Sequence, residues 1–170
     1  GLFSSFFGEI IRILTIAFVP IGSSGRNTKF QYANNLNTTG IYSIVRHPLY
    51  VGNFFIYLGP FIYTGSITGI IIYILLFWIY YERIMYAEEV YLKNHFFDIY
   101  NAWSYKTPCF VPNIRLYQPS VNSFSIHRVL DREYTGICGI PIFYITLLIS
   151  HSYLLKADYS IDNSLIYIYI

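Results

Sequence analysis

Uncharged stretches punctuate the chain at residues 13–25, 49–81 and 134–155, and every other long segment carries several ions. Residues 134–155 suffice for one membrane crossing, because a hydrocarbon core of ~30 Å needs ~20 helical residues at ~1.5 Å each. Residues 49–81 exceed one crossing but fall short of two independent ones, so they predict a tight helical hairpin. Tyr63-Thr64-Gly65-Ser66 supplies its turn, and the second arm runs on as helix past Tyr81 into the charged residues 82–97. A first crossing is expected within residues 1–22, with Glu9 and Arg12 turned toward protein or a polar cavity, since ions facing lipid there are costly. The pattern predicts an all-α fold over 1–170: one polytopic membrane helical bundle with a tight transmembrane hairpin and a cytoplasmic helical extension. The chain opens on Gly rather than Met and enters an apolar run at once, which reads as an N-terminal truncation. No basic region precedes that run and two ions interrupt it, so it does not read as a signal peptide.

Composition strengthens the membrane reading. Hydrophobic residues make up 55% and charged ones 12%, with 19 Tyr, 14 Phe and a mean hydropathy of +0.44, against about 25% charged residues in ordinary soluble domains. A net charge of +2 without a dense basic patch gives no support for nucleic-acid binding. Cys109 and Cys138 lack Cys-x-x-Cys spacing and the four histidines are scattered singly, so neither a disulfide framework nor a metal site is expected. Cations flank the hairpin and are missing from its turn: Arg26, Lys29 and Arg46 precede it, and Arg83, Lys93, Lys106, Arg115, Arg128 and Arg132 follow. The excess of cations in these loops places both in the cytoplasm. Residues 23–39 read as a polar connector, where the sequon Asn37-Thr38-Thr39 is taken as chance. The tail 157–170 reads as interfacial or as the start of a further element.

Two segments carry candidate chemistry. In the first, Gly40-Ile41-Tyr42-Ser43-Ile44-Val45-Arg46-His47-Pro48-Leu49-Tyr50-Val51-Gly52-Asn53, Pro48 disfavours helix at His47 and suits a first helical turn, presenting Arg46 and His47 at a helix N-terminus. Free backbone N–H groups and Arg46 there favour an anion or a carboxylate-bearing ligand. The plainer alternative has Arg46 snorkelling to headgroups and His47 capping the helix. In the second segment, residues 80–93, Glu89 and Lys93 form an ordinary helical pair. Glu88 lies beside Tyr-rich apolar surface and needs a cationic ligand or an Arg partner.

The 40–53 string followed by Glu88-Glu89-Val90-Tyr91-Leu92, then Phe96, Tyr100, Trp103 and Phe110-Val111-Pro112, resembles the isoprenylcysteine carboxyl methyltransferase and phospholipid methyltransferase superfamily. Phe97 departs from it, standing where the family usually has Gly. The resemblance covers residues 24–112 and implies an integral-membrane enzyme using S-adenosylmethionine. Carried over, His47, Pro48, Tyr50, Gly52, Glu88 and Glu89 hold that cofactor, with Arg46 and Arg83 close to it. Both signs of charge and aromatic surface suit such a cofactor. Residues 24–28, 36–40, 124–130 and 132–134 further resemble a bacterial branch that includes lipid A phosphate methyltransferases, which implies an inner-membrane protein.

The expected reaction is O-methylation of an anionic phosphate or carboxylate on a membrane lipid or lipidated substrate, needing in-line positioning and no general base. Arg83, with Arg46 or Arg128 as alternatives, is expected to hold the acceptor oxyanion. No Gly-x-Gly-x-x-Gly follows a strand, which argues against a soluble Rossmann-type methyltransferase grafted to a membrane anchor. Two other readings stand beside this one. One is an NADPH-dependent membrane sterol-type reductase, whose family shares Arg-His-Pro-x-Tyr-x-Gly but continues with Glu where this chain has Asn53. The other is a non-catalytic membrane scaffold whose arginines and aromatics anchor it.

Overall fold

The computed structural model describes residues 1–19 and 35–166, with side chains through residue 154. Arg26, Lys29, the 24–28 string, the connector up to residue 34 and the tail beyond Ile166 lie outside the described residues. The elements are helices α1 (Leu2–Ala17), α2 (Pro48–Thr64), α3 (Ile67–His95), α4 (Phe97–Lys106) and α5 (Ile126–Ile166), with single 3₁₀ turns at Ile41–Ser43 and Ile114–Leu116. The only β pairing among the described residues is an isolated bridge between Gly40 and Gln118. Two compact units result, Gly1–Tyr134 and Thr135–Ile170.

The hairpin forms where the uncharged stretch predicts it. Gly65 ends α2 at φ +68°, a conformation that costs a Cβ-bearing residue strain, and Ser66 caps α3 by accepting the Gly69 amide at 3.1 Å. The arms are zipped by aromatic rings: Phe61 stacks on Tyr73 at 4.9 Å, and Phe54 meets Phe77 edge-on at 5.1 Å. The Tyr73 hydroxyl donates to the Phe54 carbonyl at 2.7 Å. α3 continues well past Tyr81, as its sequence predicts. Both α3 and residues Ile126–Leu154 of α5 are long and apolar enough to cross a membrane.

α1 is 16 residues long and lies along α2 on a stripe of small residues. Ser4 and Ser5 donate to the carbonyls of Phe55 and Ile56 at 2.9 and 2.8 Å. A Cβ on Gly8 would collide with the Gly52 carbonyl and the Ile56 amide, so the two backbones touch there. Glu9 and Arg12 turn inward as expected: Glu9 is buried, and Arg12 pairs with buried Glu133 through Nε and Nη2 at 2.8 and 2.7 Å and donates to Asn53 at 2.5 Å. Of the expected span 1–22, the helix accounts for Leu2–Ala17.

The segment after α4 folds back over the start of α2. Pro108 and Cys109 carbonyls accept the amides of Arg46 (2.9 Å) and His47 (3.3 Å), and the Asn113 amide donates to Ile44 at 2.9 Å. Further along, the Gln118 amide donates to Ser43 Oγ at 2.9 Å, while Gly40, at φ +62°, donates to the Gln118 carbonyl at 2.9 Å. Trp103 Nε1 donates to the Tyr42 carbonyl at 2.8 Å. Phe110 then seats against Phe54, Phe77 and Trp78 of the hairpin. In the second unit, α5 carries Pro141 inside the helix and exposes Ile142, Ile145, Leu148 and Ile149; its backbone continues as helix to Ile166.

Candidate functional site

Pro48 occupies the first turn of α2, where its missing N–H costs nothing, and His47 before it stands outside helical geometry, at φ −119° and ψ 61°, as the helix N-cap. The His47 side chain makes no capping hydrogen bond, so the capping role weighed from sequence does not apply to it. It points across to α3 instead. Nε2 lies 2.9 Å from Glu89 Oε1, and Nδ1 is 3.6 Å from Glu88 Oε2. Both ring nitrogens face carboxylates, which suits an imidazolium donating at both edges. Burial disfavours that charge, but hydrogen bonding to Cys109, Glu88 and Glu89 outweighs it and pushes the His47 pKa up from 6.5 to about 10.

Arg46 joins from the same turn. Its Nη1 is 3.3 Å from Glu89 Oε1 and 3.4 Å from the Tyr100 hydroxyl, while its buried Nε has no hydrogen-bond partner among the described residues. Arg46 is thus paired with protein and is mostly buried, and the headgroup-anchoring alternative does not describe it. On the other side of the cluster the Tyr50 hydroxyl donates to Glu88 Oε2 at 3.0 Å, and the Tyr50 ring stacks against His47 at 5.5 Å. Glu88 therefore meets a histidine and a tyrosine rather than an arginine. The result is two acids and two bases interleaved with aromatic rings at the polar end of an apolar hairpin, an arrangement able to bind a ligand bearing both charge signs.

The structure brings together Arg46, His47, Pro48, Tyr50, Glu88 and Glu89. Gly52 and Arg83 lie elsewhere. Gly52 abuts Gly8 and Arg12 of α1, where a Cβ would collide, so its absent side chain serves helix packing. Arg83 is exposed and makes no hydrogen bond or ion pair with another described residue; five residues before Glu88, it lies about 140° round the helix from it. Arg128 donates to the carbonyls of Val19 and Ser123 at 2.9 and 3.0 Å, fastening the end of α1. Phe97, standing in place of a glycine, begins α4 without strain because the break falls on Phe96 at φ −125°.

Sequence reasoning missed Cys109. Its Sγ donates to Glu89 Oε1 at 3.5 Å, so His47, Glu89 and Cys109 offer three potential ligand atoms within 4.8 Å of one another. The Arg46 guanidinium on the same Glu89 oxygen opposes a cation there. Nothing in the local pattern around Cys109 announces this contact, because backbone pairing of 108–109 with 46–47 creates it.

The phospholipid methyltransferase family matches residues 5–98, more than half of the chain. Among similar curated proteins, a protein-S-isoprenylcysteine O-methyltransferase of Schizosaccharomyces pombe is 37% identical over 79 residues, which cover 46% of this chain and 34% of that protein. A protein of the same name from Xenopus laevis is 30% identical over 119 residues, covering 68% and 40%. The nickel-cobalt-cadmium resistance protein NccN of Alcaligenes xylosoxydans xylosoxydans is 35% identical over 95 residues, covering 56% and 44%. The chain spans less than half the length of each of these relatives. No solved structure matches.

Proposed function

The chain belongs to the phospholipid methyltransferase family, and from that premise we propose that it is an integral-membrane, S-adenosylmethionine-dependent O-methyltransferase acting on a phosphate or carboxylate of a membrane lipid or lipidated substrate. The observation that carries the proposal is the meeting of Arg46, His47 and Tyr50 with Glu88 and Glu89 at the polar end of the hairpin.

The residues present fit the cofactor. It has a carboxylate, two cationic centres, ribose hydroxyls and an adenine ring; the cluster has a buried guanidinium Nε without a partner, two carboxylates and stacked rings. His47, Tyr50, Glu88 and Glu89 would hold it, with Pro48 setting the turn that presents them. When bound, it supplies an electrophilic methyl group. Arg46 holds the anionic acceptor through the exposed part of its guanidinium, and Glu89 fixes that group from the other side. Because such an acceptor is already ionised near neutral pH, no residue need remove a proton, and His47, protonated throughout that range, serves as a fixed positive charge. Phe77 and Tyr81, stacked at 4.1 Å, wall the site toward the hairpin and keep water out. The distribution of cations supports a cytoplasmic face for this cluster, in a bacterial inner membrane if the lipid A-type branch applies.

The test is mass spectrometry of membrane lipids and prenylated peptides from cells with and without the protein, paired with calorimetry of the detergent-purified chain against S-adenosylhomocysteine and NADPH. A product one methyl group heavier and heat with the homocysteine compound are expected. Heat with NADPH alone, or neither heat nor a heavier product, overturns the proposal.

A further inference from the structure

A second basic concavity lies beside this cluster. α4 ends at Lys106, and residues 107–115 turn back over Arg46, forming a shallow, open hollow of about 700 Å³ whose rim carries Arg46, Lys106 and Arg115 and no carboxylate. Asn113 does not spend its carbonyl on a ligand, since its Oδ1 accepts the Arg115 amide and sets the turn that brings Arg115 to the rim. Lys106 and Arg115 are exposed, and neither side chain makes an ion pair among the described residues. Arg46 is compensated by Glu89 at 3.3 Å, so the hollow's uncompensated charge is that of Lys106 and Arg115, and two such cations on one rim repel one another and favour an anion.

The immediate surroundings are apolar and face outward. Tyr105 is 91% exposed, Val111 76% and Ile114 78%, and they flank the cations on the same 105–115 segment. Large bare side chains next to cations are what a surface resting in the headgroup layer presents. The hairpin register puts them at that depth. Asn53 of α2 hydrogen-bonds Tyr81, the last residue of the uncharged stretch on α3, and the turn before it reaches Glu88 and Glu89 beyond that stretch. Arg46 and the 108–113 segment paired with it therefore sit at the membrane boundary.

We propose that this cavity docks the phosphate headgroup of an anionic phospholipid, with Tyr105, Val111 and Ile114 dipping among the acyl chains beside it. The lipid is a docking partner, not the methylated acceptor. The inference rests on the chain being in a membrane and does not need methyl transfer. A held lipid would fix the 105–115 segment, and through its backbone pairs the turn that carries Arg46 and His47.

The experiment is native mass spectrometry of the detergent-purified chain with dihexanoyl phosphatidylglycerol, dihexanoyl phosphatidylcholine or inorganic phosphate. Wild type should retain phosphatidylglycerol in preference to the other two. The Lys106→Gln/Arg115→Gln variant, altered only at exposed positions, should bind it roughly twentyfold more weakly, since each cation near an anionic lipid contributes about fivefold. Val111→Ser/Ile114→Ser should also weaken lipid retention. Equal binding of inorganic phosphate and phosphatidylglycerol, or undiminished lipid binding in the charge variant, overturns the proposal. Loss of S-adenosylhomocysteine heat in the charge variant would assign the cavity to the cofactor and overturn it too. Failure of the methyl-transfer test leaves these readouts unaffected, so the two ideas fail separately.

Discussion

Replacing Glu89 with Gln keeps the side chain's shape and removes its charge from beside His47 and Arg46. Raising the His47 pKa from 6.5 to about 10 corresponds to about 5 kcal/mol of preference for the imidazolium, shared among Cys109, Glu88 and Glu89. With Glu89 at 2.9 Å and Glu88 at 3.6 Å, about 2 kcal/mol is assigned to Glu89. Its pair with Arg46, partly exposed and at 3.3 Å, adds about 1 kcal/mol that does not vary between pH 6 and 10. A histidine whose folded pKa is raised contributes its full stabilisation below the unfolded value near 6.5 and loses it as pH climbs to the folded value near 10. Wild type should therefore exceed Glu89→Gln by about 3 kcal/mol at pH 6 and by about 2 kcal/mol at pH 9.5, the gap falling toward about 1 kcal/mol only above the folded His47 value. Thermal melting of both proteins in the same detergent at the two pH values measures the gap. A gap that stays constant or widens with pH would refute the charged His47–Glu89 contact as its source.

Three other outcomes follow from the geometry. Arg46→Ala should abolish most methyl transfer, by about a hundredfold or more as for loss of an oxyanion-holding group, while Arg83→Ala should stay within about twofold of wild type in the same lipid assay. Tyr50→Phe, which removes the hydroxyl from Glu88 and keeps the ring beside His47, should weaken S-adenosylhomocysteine binding about tenfold by calorimetry with little change in melting temperature. Gly8→Ala pushes a methyl into the backbone of α2 at Gly52 and Ile56, where no flexible side chain can yield, and should destabilise the folded protein by about 1–3 kcal/mol in detergent melting.

The hairpin was legible because its signals are local: an uncharged run of known length, a glycine for positive φ, a serine to cap and a proline to start the helix. Pairing of the Arg-His-Pro turn with Glu88 and Glu89 was legible through family resemblance, since residues so far apart in sequence carry no periodic link. Which way Arg83 faces was not legible, because a cation at a helix's exit from the membrane looks the same from sequence in every orientation; the rotation of α3 sets it about 140° from Glu88. Gly52 lies within the motif yet packs against Gly8, and a stripe of Gly1, Ser4, Ser5 and Gly8 facing Gly52 and Gly59 was the available signal for α1 against α2. Cys109 and the folding back of 107–118 had no such signal, because main-chain hydrogen bonds hold that segment and they leave little trace in side-chain identity.

That segment has a consequence for biosynthesis. The amides of Arg46 and His47 and the hydroxyl of Ser43 are satisfied by residues 108, 109 and 118, which leave the ribosome after the hairpin. The nascent chain thus inserts its hydrophobic arms with the future ligand cleft still unfastened, and closure waits on a latch translated afterwards. Premature termination before residue 107 would leave an inserted but open hairpin, a species that proteases can distinguish from the finished protein by cutting around Arg46.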